Sequence, residues 1–565
     1  MKKELSMEAR LLIAFVLMGL VLFLTPYIYK PAAAPKPAAA KTTEPAAAPA
    51  PAAAAPAPVA PPPVQAASEA PGQIHGDQVE TVVVETNLER VTFSNKGAVV
   101  TSWVLKNFKD HSGKPLDLVN PDSVGKVPAP MAIEFKNQKP TSDLNAALYK
   151  VTRDGNDISF EYSDGFIDAK KSIAFGKDRY LARVDSQVSA NGVMLPHSLE
   201  WRGGFGDETA TNPAAQQHAL LFDPNAPRSY GLLDNELQKK DAKDAKNGPV
   251  SVTGNYTFAG IEDSYFAAVF LPAGSGSLEL TTYSDNIQKD GKDVARVGAA
   301  VGGEGINSFE LYAGPKDLEI LKRVNPKLEQ VVDWGMWGFI AKYLFEVLKW
   351  TAGKVDGNYG WAIILVTVAI NTLLFPLKIT SMKSSKKMQA IQPQIKAIND
   401  KYKGLSLNDP KKADQNAEMM ALYKDNGVNP AGGCLPMILQ LPFFFAFYKV
   451  LNVAIQLRGA HWLWVTDLSQ MESLAIHVLP LILIATQFLT QRMTPSPGMD
   501  PSQQKMMMIM PLVLGYMFYF ASSGLVIYWL TGNVVGIAQQ WFLNRGTPPP
   551  TVIDVKPAAK KKNRN

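Results

Sequence analysis

The chain has 565 residues, a formal net charge of +6 and a hydrophobic fraction of 46%. Its single cysteine, Cys434, excludes an intramolecular disulfide and a cysteine-rich metal site, and its six histidines never cluster. A positive charge this small does not by itself indicate a nucleic-acid-binding protein, and we expect no metal ion or other cofactor.

Residues 1–30 are predicted to form an N-terminal membrane anchor. Basic residues precede an unbroken apolar run, Leu11–Leu24, which can be extended to Tyr29. The extended run is long enough to span a bilayer with the N-terminus in the cytoplasm. A cleavable secretory signal is the alternative, with Ala32–Ala34 as small residues for cleavage. In either case the chain that follows is exported.

Residues 31–72 hold 12 of the 41 prolines and are otherwise mostly alanine, which predicts a disordered or partly polyproline II linker. The pattern then changes, and residues 73–322 are predicted to be an exported all-β sandwich. Its β-rich runs are Thr81–Glu85, Arg90–Phe93, Val99–Leu105, Ile158–Tyr162, Tyr180–Val188, Ser277–Thr282 and Ser308–Tyr312. Trp201 and Asp207 could belong to a sugar site, but scattered core or surface positions are the more typical reading of such residues.

Residues 323–352 are predicted to contain an amphipathic helix lying in the membrane interface. Asp333–Trp350 is rich in aromatic residues but carries Lys342, Glu346 and Lys349. Aromatic side chains together with charges on one face suit a helix in the interface plane better than a membrane span.

Residues 353–545 contain five predicted membrane spans, which give six with the N-terminal anchor. They are Tyr359–Leu377, Leu435–Tyr448, Leu474–Thr490, Met506–Phe520 and Leu525–Leu543. With six spans, the cytoplasmic segments carry 21 Lys and Arg and the short external segments only Lys449 and Arg458. The positive-inside rule therefore places both termini in the cytoplasm and the β domain in the periplasm.

The loop 378–430 carries ten lysines and is predicted to be a cytoplasmic helical hairpin. Over residues 382–403, apolar side chains recur at spacings of three and four, as in a coiled-coil stripe, and Lys411–Asp425 forms the second helix. The hairpin is either a solvated connector or a docking surface for lipid headgroups, ribosomal RNA or a nascent chain. The tail 546–565 is also basic.

The predicted spans have almost no ionisable residues, which argues against an ion-coupled transporter. They do carry uncharged polar residues in or beside them: Thr367, Asn371, Gln440, Gln487, Gln491, Asn533, Gln539 and Gln540. Each one taken singly is most simply an interhelical hydrogen-bonding group. Together they favour a wet cavity that opens toward the cytoplasm and could hold a polar peptide segment in transit.

A family resemblance runs through the C-terminal half. The segment from Asn429-Pro430-Ala431-Gly432-Gly433-Cys434-Leu435-Pro436 to Tyr448 resembles the third-span signature of the YidC membrane protein insertases (YidC/Oxa/Alb family). Supporting stretches are Val332–Gly335, Phe375–Leu377, Glu418–Lys424 and Ser523–Trp529. The long external domain is similar to that of the Gram-negative form.

The resemblance implies an inner-membrane protein with a five-helix insertase core and a periplasmic supersandwich resembling sugar mutarotases. It implies a hydrophilic groove that is open to the cytoplasm and to lipid, which receives the polar segment of a client without covalent catalysis. The implied groove-lining residues are Thr367, Asn371, Gln440, Gln487 and Trp529, and the implied substrate-contacting residues are Phe444, Met510 and Met517.

One departure from the family pattern concerns charge. Family members usually carry an arginine in the groove at the position of Asn371, so the groove is expected to lack its fixed positive charge. The resemblance implies as partners nascent membrane-protein clients, the Sec translocon, the ribosome (through the basic tail and the hairpin) and the lipid bilayer.

The sequence therefore predicts a membrane protein insertase and chaperone that is not an enzyme and acts alone or with the Sec translocon. A solute transporter or channel with an external regulatory domain is the alternative, although the two halves of the core show no inverted repeat. A membrane-anchored carbohydrate enzyme is a third possibility, but it lacks a convincing acid/base pair.

Overall fold

The computed structural model describes residues 73–136, 139–208, 217–226, 237–274, 277–303, 305–402, 409–428, 435–493 and 501–545. The predicted anchor 1–30, the linker 31–72 and the basic tail 546–565 lie outside these residues, as does the start of the third-span signature, 429–434.

The first part of the described chain is built from three antiparallel sheets. The first has the order β1-β2-β3-β4: Thr81–Glu85, Glu89–Ser94, Val99–Lys109 and Pro115–Asp117. The largest has the order β13-β12-β15-β16-β19-β9-β8-β7-β6, with β10 also paired to β9: Leu237–Lys240, His218–Phe222, Phe258–Glu262, Phe266–Pro272, Ile306–Pro315, Leu181–Ala190, Ile167–Phe175, Asp157–Ser163, Lys150–Asp154 and Val193–Met194. The third has the order β14-β17-β18-β11-β5: Val250–Gly254, Leu278–Lys289, Lys292–Gly302, Ser198–Trp201 and Ile133–Glu134.

The core of this β domain follows from alternation along its strands. In β8 every second residue from Ile167 to Phe175 is buried, as expected where one face packs on a core. The large sheet packs on the third sheet through β12 and β15 against β18. Trp103 of the first sheet packs at a tilt against Trp201 of the third, with ring centroids 5.9 Å apart. All seven predicted β-rich runs coincide with strands, so the β-sandwich prediction is confirmed.

The second part of the described chain is helical. The α-helices are α1 (Leu318–Val324), α2 (Gly338–Lys354), α3 (Tyr359–Leu373), α4 (Phe375–Ala390), α5 (Gln392–Lys401), α6 (Lys411–Asp425), α7 (Leu435–Val453), α8 (Val478–Met493), α9 (Pro501–Tyr519) and α10 (Ser523–Arg545). Short 3₁₀ turns occur at Pro121–Ser123, Pro326–Val331 and Ile455–Leu457.

Two segments predicted to be helical contain a break. The expected span Tyr359–Leu377 ends as a helix at Leu373, and α4 leaves at an angle of 52°. The expected helix over 382–403 is interrupted at Ile391. In both cases a proline, Pro376 or Pro393, stands in the first turn of the next helix, because proline lacks the amide hydrogen needed in a helix interior.

The interface helix begins later than predicted. Asp333 accepts a hydrogen bond from the amide of Gly335 at 2.9 Å, and Gly335 has a φ of 70°, so a tight turn precedes α2. Along α2, one stripe remains exposed, formed by Phe339, Tyr343, Val347 and Trp350, while the opposite face packs on α3 and α7. An exposed stripe rich in aromatic residues is what a helix lying in a membrane interface would present.

The remaining helices form one bundle. The helix α10 packs between α3 and α8, and α9 packs on α8 where Gly515 leaves room for Ile484. By length and composition, no individual helix in the described ranges could cross a membrane alone, whereas the bent pair α3–α4 passes as a unit. The number of spans therefore stays a prediction.

The predicted hairpin is present as helices α5 and α6, which pack on one another. Ile391, Ile395 and Val428 are buried between them, with Leu422 and Tyr423 packed against these side chains. The charged residues lie outside this small core, and Lys401 pairs with Glu418 across the two helices at 2.5 Å.

The β domain is joined to the bundle through the loop between α7 and α8. Arg458 donates a hydrogen bond to Asp207 at 3.1 Å and another to the carbonyl of Lys109 at 2.6 Å, and its guanidinium lies 5.3 Å from the ring centre of Phe266. Both charged side chains are almost fully buried, with exposures of 5% for Arg458 and 1% for Asp207. Gln456 adds a bond to Asp317 at 2.9 Å.

Candidate functional site

Two polar side chains, Thr367 and Asn371, lie one helical turn apart near the end of α3. The hydroxyl of Thr367 donates to the carbonyl of Ile363 at 2.6 Å, and the side-chain amide of Asn371 donates to the carbonyl of Thr367 at 2.9 Å. Both side chains are buried. Thr367 is thus satisfied within its own helix, whereas the amide oxygen of Asn371 remains available for a partner outside it.

The partner of Asn371 is Lys378, in the first turn of α4. The ammonium of Lys378 donates to the Asn371 side-chain oxygen at 2.8 Å and to that of Gln539 on α10 at 3.3 Å. The amide nitrogen of Gln539 in turn donates to the backbone carbonyl of Asn371 at 3.2 Å. Three helices therefore meet at one lysine.

This arrangement corrects the expectation that the groove lacks a fixed positive charge. The residue at the usual arginine position is neutral, but Lys378 brings an ammonium to it. By sequence, Lys378 is the first residue of the predicted cytoplasmic loop 378–430. The signal that could have found it is spacing, because residues seven apart lie on the same face two helical turns apart.

A second polar cluster lies between α8 and α10. The amide of Asn533 donates to the side-chain oxygen of Gln487 at 2.9 Å and to the hydroxyl of Thr486 at 3.2 Å. The first cluster also includes α10, through Gln539, so this helix carries polar groups toward both α3 and α8.

A cavity of about 180 Å³ opens between α4, α8 and α10. Its polar walls are Lys378, Ser381, Thr490, Gln539 and Gln540, and its apolar walls are Met382, Met493 and Ile537, with Gly536 leaving the wall open at one point. Such a mixture can hydrate a peptide segment and still accept apolar side chains. None of the five predicted groove residues lines this cavity, although Asn371 contacts it through Lys378.

Two of the other predicted groove residues, Gln440 and Trp529, lie at the contact between α7 and α10. Gln440 hydrogen-bonds to Tyr528, linking α7 to α10. Trp529 is partly buried and packs edge-on against Phe444, with ring centroids 4.9 Å apart. Phe444 is itself only 7% exposed, so the structure places this predicted substrate contact in the interior of the bundle.

The predicted contacts on α9 lie at its surface. Met517 is 43% exposed and Met510 is half-buried. They belong to an apolar stripe on one side of α9 that also includes Met508, Ile509, Leu512, Val513, Tyr516 and Phe520. A flexible thioether surface adapts to different apolar side chains.

The β domain contains buried charged side chains, but their contacts are structural ones within the fold. Lys171 is fully buried, and its ammonium donates to the carbonyls of Gly97, Ala98 and Met131 at 2.7–3.0 Å, while burial lowers its pKa to about 7. Trp201 lies in the aromatic core and Asp207 pairs with Arg458, so the two do not form a sugar site. Within the described ranges, no group of three potential ligands could hold a metal ion.

Two family models match the chain. The model described as "YidC periplasmic domain" matches residues 81–347, and the model described as "60Kd inner membrane protein" matches residues 350–549. Their boundary lies within α2.

Individual relatives match over nearly the whole length. A membrane protein insertase YidC from Pelobacter propionicus is 34% identical over 562 residues, which cover 95% of this chain and 99% of the relative. The protein of the same name from Syntrophus aciditrophicus is 34% identical over 567 residues, 95% of this chain and 100% of the relative. An active YidC insertase of known structure, with its first transmembrane domain resolved, is 19% identical over 83% of this chain and 95% of its own, with a TM-score of 0.36, too low to establish a shared arrangement. On its family models and its relatives together, the chain belongs to the YidC family of membrane protein insertases.

Proposed function

We propose that this insertase receives the polar segments of its clients in the cavity between α4, α8 and α10, while their apolar segments slide along the exposed stripe of α9. The observation that carries the proposal is the set of polar walls at one end of the bundle: Lys378, Ser381, Thr490, Gln539 and Gln540. Each unpaired backbone group costs several kcal/mol in hydrocarbon, so partial hydration there lowers the barrier to crossing.

The contacts at the other end of the bundle support a cavity that opens away from the β domain. The start of α3 meets the loop between α7 and α8, where a side chain at Gly360 would collide with Trp462. The start of α10 is tied to the same loop by a bond from the Ser523 amide to the Gln470 carbonyl at 2.6 Å. The β domain docks on this end, so the cavity lies at the opposite end.

We propose the corresponding topology of six spans with both termini in the cytoplasm, the β domain in the periplasm and α2 in the outer interface. The excess of lysine and arginine in the predicted cytoplasmic segments supports it. The lipid bilayer would then contact α2, the α9 stripe and the outer surface of the bundle.

This topology and the open cavity can be tested by thiol labelling in a Cys434→Ala background. A membrane-impermeant maleimide added from the cytoplasmic side is expected to label Lys401→Cys on the hairpin and Ile537→Cys in the cavity wall. It should leave Lys114→Cys in the β domain unlabelled.

Labelling from the periplasmic side of intact cells should give the reverse pattern, and it controls for thiol reactivity. If position 401 labels only from outside and position 114 only from inside, the topology is wrong. If 401 labels from the cytoplasmic side but 537 labels from neither, the topology holds and the cavity is closed.

We also propose that the basic tail contributes to ribosome binding, together with the hairpin. Residues 556–565 contain Lys556, Lys560–Lys562 and Arg564, and such a cluster attracts phosphates in a salt-dependent way. Orientation of the protein by the positive-inside rule would account for the same charges without any binding.

Deleting 556–565 is expected to reduce co-sedimentation with ribosomes and to weaken its dependence on salt, because fewer counterions are released. A variant with Lys560–Lys562 changed to glutamine keeps the length of the tail and should lose most of the same binding. Co-sedimentation that is unaffected by both changes would leave membrane orientation as the role of the tail.

We propose association with the Sec translocon on the family resemblance alone.

A further inference from the structure

A tight two-residue turn occurs in the loop between α7 and α8, at residues 462–465, which we call the outer turn. The backbones of Trp462 and Val465 exchange two hydrogen bonds, at 2.9 and 2.8 Å, on either side of Leu463 and Trp464. Trp462 and Val465 are buried at the base of the turn, whereas Leu463 is 62% exposed and Trp464 is 40% exposed. The outer turn therefore presents two large apolar side chains at its tip.

The backbone of the outer turn is strained at its most exposed residue. Leu463 has a φ of 49°, in the left-handed region, where a side chain crowds the neighbouring backbone. Two-residue turns that need a positive φ usually carry glycine or asparagine at that position. A leucine that is both strained and exposed contributes little to packing within the protein, so its presence points to a contact outside it.

The outer turn is fixed to the bundle at its base. Trp462 packs against Gly360 at the start of α3, and its ring lies edge-on to that of Trp361, with ring centroids 5.7 Å apart. The indole nitrogen of Trp464 donates to the buried carboxylate of Glu472 at 2.5 Å. The same carboxylate accepts a backbone amide at the start of α8 at 2.8 Å. The tip is thus held in one position, with the polar edge of Trp464 satisfied and its ring partly exposed.

The tip adjoins a surface of α3 that faces away from the bundle. Trp361, Leu365 and Val368 are exposed at spacings of four and three, which places them on one stripe of the helix. In the proposed topology this stripe meets lipid, and Trp361 at its outer end contacts the base of the outer turn. Residues 459–466 contain no aspartate, glutamate, lysine or arginine, so no charge opposes their transfer into the membrane interface.

We propose that the outer turn is a lipid anchor, in which Leu463 and the ring of Trp464 insert among the phospholipids of the outer leaflet. A tryptophan with a bonded nitrogen and an exposed ring suits the boundary between headgroups and acyl chains. The strain at Leu463 is offset because its side chain gains an apolar contact that glycine or asparagine would not make. This inference goes beyond the uptake of clients by the cavity, and it takes from the proposed topology only the position of the loop.

The test uses the full chain in vesicles of phosphatidylethanolamine and phosphatidylglycerol, with a small fraction of a phosphatidylcholine that carries a diazirine near the carbonyl end of one acyl chain. After irradiation, lipid adducts are assigned to residues by mass spectrometry. Adducts are expected on the tip of the outer turn. The exposed stripes of α2 and α9 serve as the reference for labelling by lipid.

Leu463→Gly combined with Trp464→Gln removes the apolar surface of the tip and keeps the turn. Glycine suits the positive φ, and the glutamine amide can still donate to Glu472. Adducts on the outer turn should fall by at least about fivefold relative to the reference, since burial of one large apolar side chain shifts an equilibrium by about tenfold or more. Thr466→Gln changes an exposed residue that is already polar, and it should leave the adducts unchanged.

Two results would overturn the inference. If the reference stripes are labelled but the outer turn is not, the tip meets water or another protein. If the unmodified chain and the double variant give equal adducts on the turn, it lies near the bilayer without inserting these side chains. Loss of adducts in the double variant alone supports the anchor. Labelling does not depend on which leaflet is met, so an error in the topology would appear in the thiol labelling at positions 401 and 114 instead.

Discussion

Replacing Asn371 and Gln487 together by leucine is expected to slow the insertion of clients with long polar external tails by at least about tenfold. Asn371→Leu removes the closest acceptor of the Lys378 ammonium, and Gln487→Leu removes that of the Asn533 amide. The variant would leave the Lys378 ammonium on one side of α10 and the Asn533 amide on α10 itself with one hydrogen-bond acceptor fewer each, and so less well solvated. Losing as little as about 1.4 kcal/mol of solvation in the crossing state accounts for a tenfold change in rate.

Clients with very short tails should be affected less, because fewer polar groups cross. The matched control is Thr372→Leu with Thr380→Leu, which adds two leucines at exposed positions of α3 and α4. Rates are compared at equal levels of folded insertase. If the Asn371 and Gln487 variant inserts both kinds of client at the unmodified rate, these amides only hold helices together, and the hydration mechanism must rest on other residues.

The second large effect is expected where the β domain docks on the bundle. Arg458→Ala would remove the guanidinium that pairs with the buried Asp207, near Asp263, whose pKa is already raised to about 7 by burial and by Asp207. Removing one partner of a buried ion pair costs about 3–5 kcal/mol. The loss should appear in the full chain as faster amide hydrogen exchange at the 3₁₀ turn Ile455–Leu457 and in the loop that follows.

The control for this substitution is Arg183→Ala. Arg183 pairs with Asp185 on the surface of the large sheet, with exposures of 65% and 38%, and an exposed pair contributes at most about 1 kcal/mol. Removing both partners, as Arg458→Met with Asp207→Leu, should recover part of the loss because no buried charge is then unpaired. Unchanged exchange in Arg458→Ala would mean that the β domain is held in place by other contacts.

Local patterns were sufficient to predict some of the elements of this fold, among them seven of the nineteen strands in the described residues. The seven β-rich runs and the later helices follow from alternation and from apolar runs along neighbouring residues. The breaks at Leu374 and Ile391 could have been predicted as well, since Pro376 and Pro393 mark them. The order of the strands in the large sheet could not, because it depends on pairings between residues far apart, such as β19 with β9.

The candidate site was predicted less well, for a similar reason. The contacts of Asn371 with Gln539 and of Asp207 with Arg458 join residues 168 and 251 positions apart. The uncharged polar residues in the predicted spans indicated a polar cavity. Which of their amides hydrogen-bond to one another depends on the packing of α10 between α3 and α8. Lys378, which lies beyond the bend at Leu374, then donates back to Asn371.

The most direct measurement of the central claim is photocrosslinking from the wall of the cavity. A photoreactive residue in place of Ile537, with a client arrested part-way through insertion, is expected to crosslink to the client's polar tail. The same residue in place of Val534, which is 52% exposed three positions away on α10, should not. Crosslinks to the tail from 534 but not from 537, while the client inserts at its normal rate, would contradict uptake of polar segments by this cavity.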